Sequence, residues 1–409
     1  MALWRLLRLS NRYISLHALL LLRFYLAQFY YLGLMRVRYE TSNNTVHLTP
    51  YSVTMARMLG LFFAYFLSLA LLHPYALLLH IQLLLFACCL LVQPRTVYEE
   101  RMRLINCFLR LAPELYRRCR CKLRLSWMLV LQLVFRLLTF KMYFETFMLS
   151  KDATWKVFFM VVFVVPVSLA IWVMDMSTHL VSIALTILTK SFELMNDELA
   201  SIAEQLPVGT LKADHKTVQR LQRRHRSLQR LHRSYAKLTQ ELLDCITPQL
   251  VLIIVYNLSM IYSLSYVQWR RIFQIALLAN NLRQLMHSLS ALVAAAAAPQ
   301  DICWLQLARL LQFDEILATH GWLERRRYRW RLQDADSCSQ SVRRCLLQPG
   351  LQVLGLVTPN RQLFFRLAFA YCSFLHLHYM WKKSAVVSEK DITIVVEITQ
   401  PKGRIFRLF

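Results

Sequence analysis

Residues 248–268 read PQLVLIIVYNLSMIYSLSYVQ and contain no charged side chain. As a helix, a stretch of this length crosses about 30 Å of hydrocarbon. Six further apolar stretches of comparable or greater length occur at residues 55–73, 76–94, 126–147, 157–187, 271–297 and 362–381. The sequence therefore predicts an all-α polytopic membrane protein with seven transmembrane helices.

The composition supports a membrane protein. Apolar residues make up 57% of the 409 residues and charged residues only 18%, with 49 Lys and Arg against 23 Asp and Glu. A net charge of +26 would suggest nucleic-acid binding in a soluble protein. In a membrane protein, Lys and Arg instead collect in cytoplasmic loops beside anionic lipid, so we expect membrane lipid and no nucleic acid as a partner.

The distribution of basic residues predicts the orientation. Six, nine, ten and nine Lys or Arg lie in 1–54, 95–125, 188–246 and 298–361, whereas none, two and two lie in 74–75, 148–156 and 267–272. The N-terminus and the three long loops are thus predicted to be cytoplasmic. The tail 382–409 would then be extracellular, although its six basic residues oppose that placement.

The N-terminal segment 1–54 contains an additional apolar stretch at 17–34. Arg23 and Gln28 lie in its middle, which favours an interfacial or re-entrant amphipathic helix over a span. The glycosylation motif at Asn43 would then face the cytosol and stay unmodified; glycosylation there would require 17–34 to cross the membrane.

The long loops are predicted to be helical extensions of the spans. An apolar stripe with helical spacing follows the segment 211–243, at Val218, Leu221, Leu228, Leu231, Tyr235, Leu238 and Leu242. This helix should pack against another helix and run into the span 248–268, with Pro248 as the first residue of the membrane portion. The stretch 157–187 is long enough to continue out of the bilayer, with Pro166 as a tolerated kink. The cytoplasmic loop 298–361 is also expected to be helical.

No catalytic, metal or cofactor motif is present, so we expect no enzyme and no cofactor. Cys119 and Cys121 have the wrong spacing for a zinc site. His376 and His378 lie two apart on the last span, so their rings point in different directions and cannot easily share a metal. Because polar residues in a span are costly, these histidines either line a wet cavity or pore or pack between helices.

Three classes of multi-span protein were compared with this pattern. Transporters usually contain helices broken by Gly and Pro, and only Gly60 and Pro166 are suitably placed here. A G-protein-coupled receptor has the opposite orientation of its N-terminus. A channel or channel-like receptor needs only one helix per subunit to line a shared pore, which fits glycine-poor helices and large cytoplasmic segments.

The C-terminal region resembles the signature of insect gustatory receptors. It contains Gly355-Leu-Val-Thr-Pro-Asn360 and, in the last span, Ser373-Phe374 followed after five residues by Met380-Trp381. The family has a Gly-Leu/Phe-Phe stretch, an Asn or Asp, then Thr-Tyr, five residues and Gln-Phe. The spacing is kept and the types are similar, but Met380 replaces the expected Gln, and the tail 382–409 is longer than usual.

The resemblance implies a tetrameric, tastant-gated cation channel in the plasma membrane of chemosensory neurons, formed with itself or with other gustatory receptors. The last helix, 362–381, would line the pore, with Ser373, Phe374, Met380 and Trp381 as pore or gate residues. The alternative for these four is simple helix packing. Alternatives for the whole chain are an odorant-receptor-type subunit and a seven-helix receptor that signals through G proteins.

The resemblance also implies an outward-facing tastant pocket among the earlier helices. Aromatic residues that could line it are Phe140, Tyr143, Phe144, Tyr262 and Tyr266. Aromatic rings suit apolar or π-rich ligands. An interfacial aromatic belt explains the same residues equally well.

Overall fold

A computed structural model describes residues 15–40, 45–72, 78–148, 165–212, 215–267, 272–318 and 373. In chain order these contain helix α1 (Leu16–Tyr31), strands β1 (Val37–Glu40) and β2 (Thr45–Leu48), and helices α2 (Pro50–Leu72), α3 (Leu78–Leu91), α4 (Arg95–Cys119), α5 (Trp127–Met148), α6 (Val165–Lys212), α7 (His215–Val267) and α8 (Ile272–Ala318). The chain divides into two units, Met1–Pro359 and Asn360–Phe409. Only Ser373 of the second unit is described.

Within the described residues, each of the first six predicted apolar stretches in chain order overlaps a helix. Three helices are long and apolar enough to cross a membrane: Pro50–Leu72, Val165–Ile202 and Arg223–Tyr262. The count rises to four if His80–Leu91 and Arg95–Cys119, bent by 66°, form one broken span. Trp127–Leu138 is a shorter apolar helix, and the predicted seventh span lies outside the described residues. The number of spans and the orientation therefore remain predictions.

Two helices continue far beyond the predicted spans, as the sequence indicated. Helix α6 has 48 residues and extends past 187 to Lys212. Helix α7 has 53 residues and joins the basic segment to the apolar segment without a break. Pro248 lies inside α7, so the helix runs through it into the apolar segment, and the start of the membrane portion stays a prediction. Pro166 lies in the first turn of α6, and the residues before 165 are outside the described part.

Four residues of the apolar stripe on α7 are buried against neighbouring helices, while Leu221 and Leu242 are half-buried and the side chain of Val218 lies outside the described part. Leu228, Leu231, Tyr235 and Leu238 are each at most 3% exposed. The Tyr235 ring meets Phe192 of α6 and Phe108 of α4 edge-on, with ring centroids 6.3 Å apart in both cases. The three helices α4, α6 and α7 therefore share one apolar core, and the arginines and lysines between the stripe positions remain outside it.

The N-terminal segment contains an antiparallel hairpin that departs from the all-α prediction. Strands β1 and β2 pair with Val37 opposite Leu48 and Glu40 opposite Thr45. The amide side chain of Asn106 on α4 donates to the carbonyl of Val46 at 2.7 Å and accepts from its N–H at 2.8 Å. This side chain takes the place of a third strand at that residue, so the hairpin is fixed to α4.

Helix α1 packs into the bundle through its apolar residues. Leu21 and Tyr25 belong to a buried cluster with Leu129 and Leu133 of α5 and Met176 and Ile183 of α6. The backbone N–H of Ser15 also donates to the carbonyl of Leu123, just before α5, at 2.9 Å. Whether the stretch 17–34 lies in the interface or crosses the membrane stays a prediction.

Candidate functional site

A buried arginine connects three helices of the bundle. Arg136 of α5 is 2% exposed. Its Nη1 donates to the backbone carbonyl of Asp175 on α6 at 2.6 Å, and its Nη2 donates to Oδ1 of Asn281 on α8 at 2.5 Å. A charged side chain is expensive to bury unless it is hydrogen-bonded and opposed by another charge. Both conditions are met here, because the Asp175 side chain is buried in the same cluster.

Asn281 and His179 extend the polar cluster in two directions. Nδ2 of Asn281 donates to the Asp175 carboxylate at 3.5 Å, so this amide lies between the two charged side chains. His179, one helical turn after Asp175, is fully buried and hydrogen-bonded through Nδ1 to the Tyr25 hydroxyl of α1. The cluster therefore joins four helices: α1, α5, α6 and α8.

Several buried polar atoms of this region have no hydrogen-bond partner within the described residues. They include Nε of Arg136, Nε2 of His179 and Oε1 of Gln284, which lies one turn after Asn281. An unsatisfied buried donor or acceptor costs about 1–3 kcal/mol. The free Arg136 Nε–H can donate to an acceptor such as a carbonyl, hydroxyl or carboxylate group of a small molecule. The arrangement is suited to hydrogen bonding with a polar ligand.

An aromatic pair lies one turn from the charged residues. The rings of Phe140 and Trp172 are 4.7 Å apart at an interplanar angle of 64°. Phe140 is four residues after Arg136 on α5, and Trp172 is three residues before Asp175 on α6, so on each helix the ring and the charged group share a face. The site therefore combines an apolar aromatic wall with a polar end.

The structure locates only some of the predicted site residues. Phe140 is half-buried in the aromatic pair, and Tyr262 is half-buried on α7. Tyr143 and Phe144 lie in α5 and Tyr266 in α7, but their side chains are outside the described part. Ser373 is helical and half-buried. The other predicted pore residues lie outside the described residues: Phe374, His376, His378, Met380 and Trp381.

Sequence reasoning missed the polar cluster. Its signal was present, because Arg136, Asp175 and Asn281 each interrupt an apolar stretch predicted to span. Ionisable residues within spans usually face a partner or a cavity and are functional candidates. Within the described ranges no group of three or more His, Cys, Asp or Glu side chains could hold a metal ion.

The fold has a counterpart of known structure. No protein-family model matches the sequence, and no curated protein is significantly similar to it. In structure, the chain resembles the insect olfactory receptor OR5 from Machilis hrabei, with a TM-score of 0.53 and 10% identity over 87% of this chain and 97% of that chain. The chain therefore shares the fold of that olfactory receptor. At this identity the likeness concerns the fold alone.

Proposed function

We propose that this chain is a gustatory receptor: a subunit of a tastant-gated cation channel in the plasma membrane of chemosensory neurons. The observation that carries the proposal is the likeness of fold to an insect olfactory receptor over 87% of the chain. The C-terminal signature supports the gustatory branch, since the spacing from Asn360 to Ser373, Phe374, Met380 and Trp381 is kept.

The ligand site in this proposal is the polar cluster with its aromatic wall. Arg136 and Asn281 would bind the polar group of a tastant, and Phe140 and Trp172 would pack against its apolar part. In the orientation predicted from the loop charges, α5 runs outward and α6 and α8 run inward. In this topology Arg136 lies near the middle of the predicted span 126–147, and Asn281 lies in the outer half of the predicted span 271–297.

The channel would be a tetramer of this chain alone or with other gustatory receptors, and the last span of each subunit would line the pore. The replacement of the family's Gln by Met380 removes a hydrogen-bonding group from the predicted gate. An apolar constriction can close a pore by dewetting. We therefore expect larger currents when a partner subunit supplies the Gln.

An odorant-receptor-type subunit is the second candidate, because the matched structure is named as an olfactory receptor. The two candidates share the fold and differ in ligand and partner. Volatile odorants, bitter compounds and sugars should therefore be tested on the same cells. Responses to volatile compounds alone would favour the odorant type.

Whole-cell recording tests the proposal directly. The chain is expressed in a heterologous cell alone and with a partner gustatory receptor, with a non-hydrolysable GDP analogue in the pipette to block G proteins. A tastant-evoked cation current that persists under this block is expected. Surface-expressed protein that evokes only a G-protein-dependent response would refute the channel mechanism.

A further inference from the structure

A cleft lies between the N-terminal hairpin, the start of α2 and one face of α4. Its volume is about 580 Å³, within the range of roughly 300–1,000 Å³ typical of ligand sites. The hairpin wall is held in place by the two hydrogen bonds between Asn106 and Val46. The cleft is therefore formed before any ligand arrives.

The α4 wall of the cleft is basic. Arg95, Arg103 and Arg110 all line it, and Glu99 is the one acidic residue among its lining residues. Arg95 is bound to Glu99 at 2.7 Å. Arg103 is bound to Glu100 at 2.5 Å and to Glu241 of α7 at 2.8 Å.

Arg110 differs from the other two arginines. It is exposed, and within the described part of the chain it has no ion pair or hydrogen bond. Its guanidinium group is thus available to an anion, and arginine forms bidentate hydrogen bonds with phosphate. The other two arginines of the wall are paired with glutamates, so Arg110 is the uncommitted cation of the cleft within the described residues.

The cleft lies where the apolar helices begin and end. Pro50, which starts the apolar helix α2, lines it, and so does Arg95, which starts α4 just after α3 ends at Leu91. The chain bends by 66° between α3 and α4, as expected where a helix leaves the hydrocarbon and turns along its surface. In the predicted topology, in which 95–125 is a cytoplasmic loop, the cleft lies at the level of the lipid headgroups.

The opposite wall is partly apolar. It contains Leu48 of the hairpin and Val53 of α2, whereas the arginines lie on α4. A phosphate group attached to a hydrocarbon-bearing molecule satisfies both walls, whereas a free phosphate ion satisfies only the basic one. We propose that this cleft binds the phosphorylated headgroup of an anionic phospholipid, with Arg110 as the principal phosphate contact. In the orientation proposed above, that lipid belongs to the cytoplasmic leaflet, where anionic lipids are concentrated.

Thiol protection on the purified full chain tests this site. Cys107 lines the cleft and is exposed, and Cys121 is exposed outside it, so Cys121 serves as an internal control. Labelling of both residues by a maleimide is followed by peptide mass spectrometry in detergent. The three additives are a soluble short-chain phosphatidylinositol phosphate, inorganic phosphate, and short-chain phosphatidylcholine.

The phosphatidylinositol phosphate is expected to slow labelling of Cys107 at least about threefold and to leave Cys121 unchanged. In Arg110→Gln the phosphoinositide concentration that gives half-protection of Cys107 should rise roughly tenfold, because one charge-assisted hydrogen bond to the phosphate is lost. Arg117→Gln, an exposed arginine on the same helix outside the cleft, is the matched control and should bind normally. Both variants should melt at the wild-type temperature.

The inference would be overturned by a lack of protection by the phosphoinositide, by equal protection by phosphatidylcholine, or by equal loss of binding in the two variants. Protection by inorganic phosphate alone would show that the cleft binds free anions and would refute the proposal that it binds a phospholipid. The assay requires no current, so its result is separate from the test of channel function. A chain that conducts no current but retains protection at Cys107 leaves this inference standing.

Discussion

The replacement Arg136→Met should be among the most destabilising single changes in the bundle. It removes the donors to the Asp175 carbonyl at 2.6 Å and to Asn281 Oδ1 at 2.5 Å. Asp175 stays buried, at 8% exposure, with its opposing charge gone. Breaking a buried charge arrangement from one side costs about 3–5 kcal/mol, and we expect a loss of that size.

A double-mutant cycle separates this electrostatic effect from lost packing. Asp175→Leu alone leaves Arg136 as the uncompensated charge and should also be costly. The double variant removes both charges, so its cost should fall short of the sum of the singles by about 2 kcal/mol. Gln132→Met is the matched control on the same helix, because Gln132 Oε1 has no partner within the described residues. We expect a change of about 1 kcal/mol or less there.

The free energies can be measured by titrating the purified chain with a denaturing detergent and following helical circular dichroism. If the double variant loses as much free energy of unfolding as the two single variants together, the two charges do not stabilise one another. A cost for Arg136→Met no larger than that for Gln132→Met would refute the importance of the cluster for stability.

Three further outcomes are expected. Gly60→Leu should lower the free energy of unfolding by about 1–3 kcal/mol in the same titration, because a Cβ at this position would lie 2.6 Å from Cγ2 of Val92. An unchanged midpoint would disprove close packing between α2 and the end of α3. Leu238→Ala should cost about 2–5 kcal/mol, since the side chain is 3% exposed in the stripe; a cost below about 1 kcal/mol would mean that the stripe is not packed. Burial, helped by the Glu198 carboxylate, raises the pKa of Cys119 to about 12. At neutral pH we therefore expect maleimide to label Cys119 at least about tenfold more slowly than the exposed Cys121. Equal labelling rates would contradict this raised pKa.

The helices were predictable because their signals are local. Uncharged stretches of about 20 residues and the three-and-four spacing of the α7 stripe depend only on neighbouring residues. The continuation of α6 to Lys212 followed from the length of its apolar stretch. Pro248 does not end α7, because a long packed helix tolerates an internal proline.

The hairpin and the polar cluster depend on contacts between distant residues. The hairpin is held by Asn106, sixty positions from its partner Val46, and nothing in the hairpin's own sequence indicates that contact. Arg136 and Asp175 were each visible as charges in apolar stretches, but their meeting with Asn281 depends on how three helices pack. Of the two predicted pocket residues whose side chains the structure describes, Phe140 and Tyr262, Phe140 packs against Trp172 beside this cluster.

The length of α6 has a mechanical consequence. Its 48 residues form a rod about 72 Å long, far more than the hydrocarbon thickness. Asp175 and the buried residue Ile202 lie on the same rod, about 40 Å apart. If the rod pivots at Asp175, a tilt of about 3° swings Ile202 sideways by about 2 Å, the scale of helix shifts in switching proteins. A bound molecule that changed the angle of α6 at Asp175 by about 3° would therefore move the other end of the helix by about 2 Å.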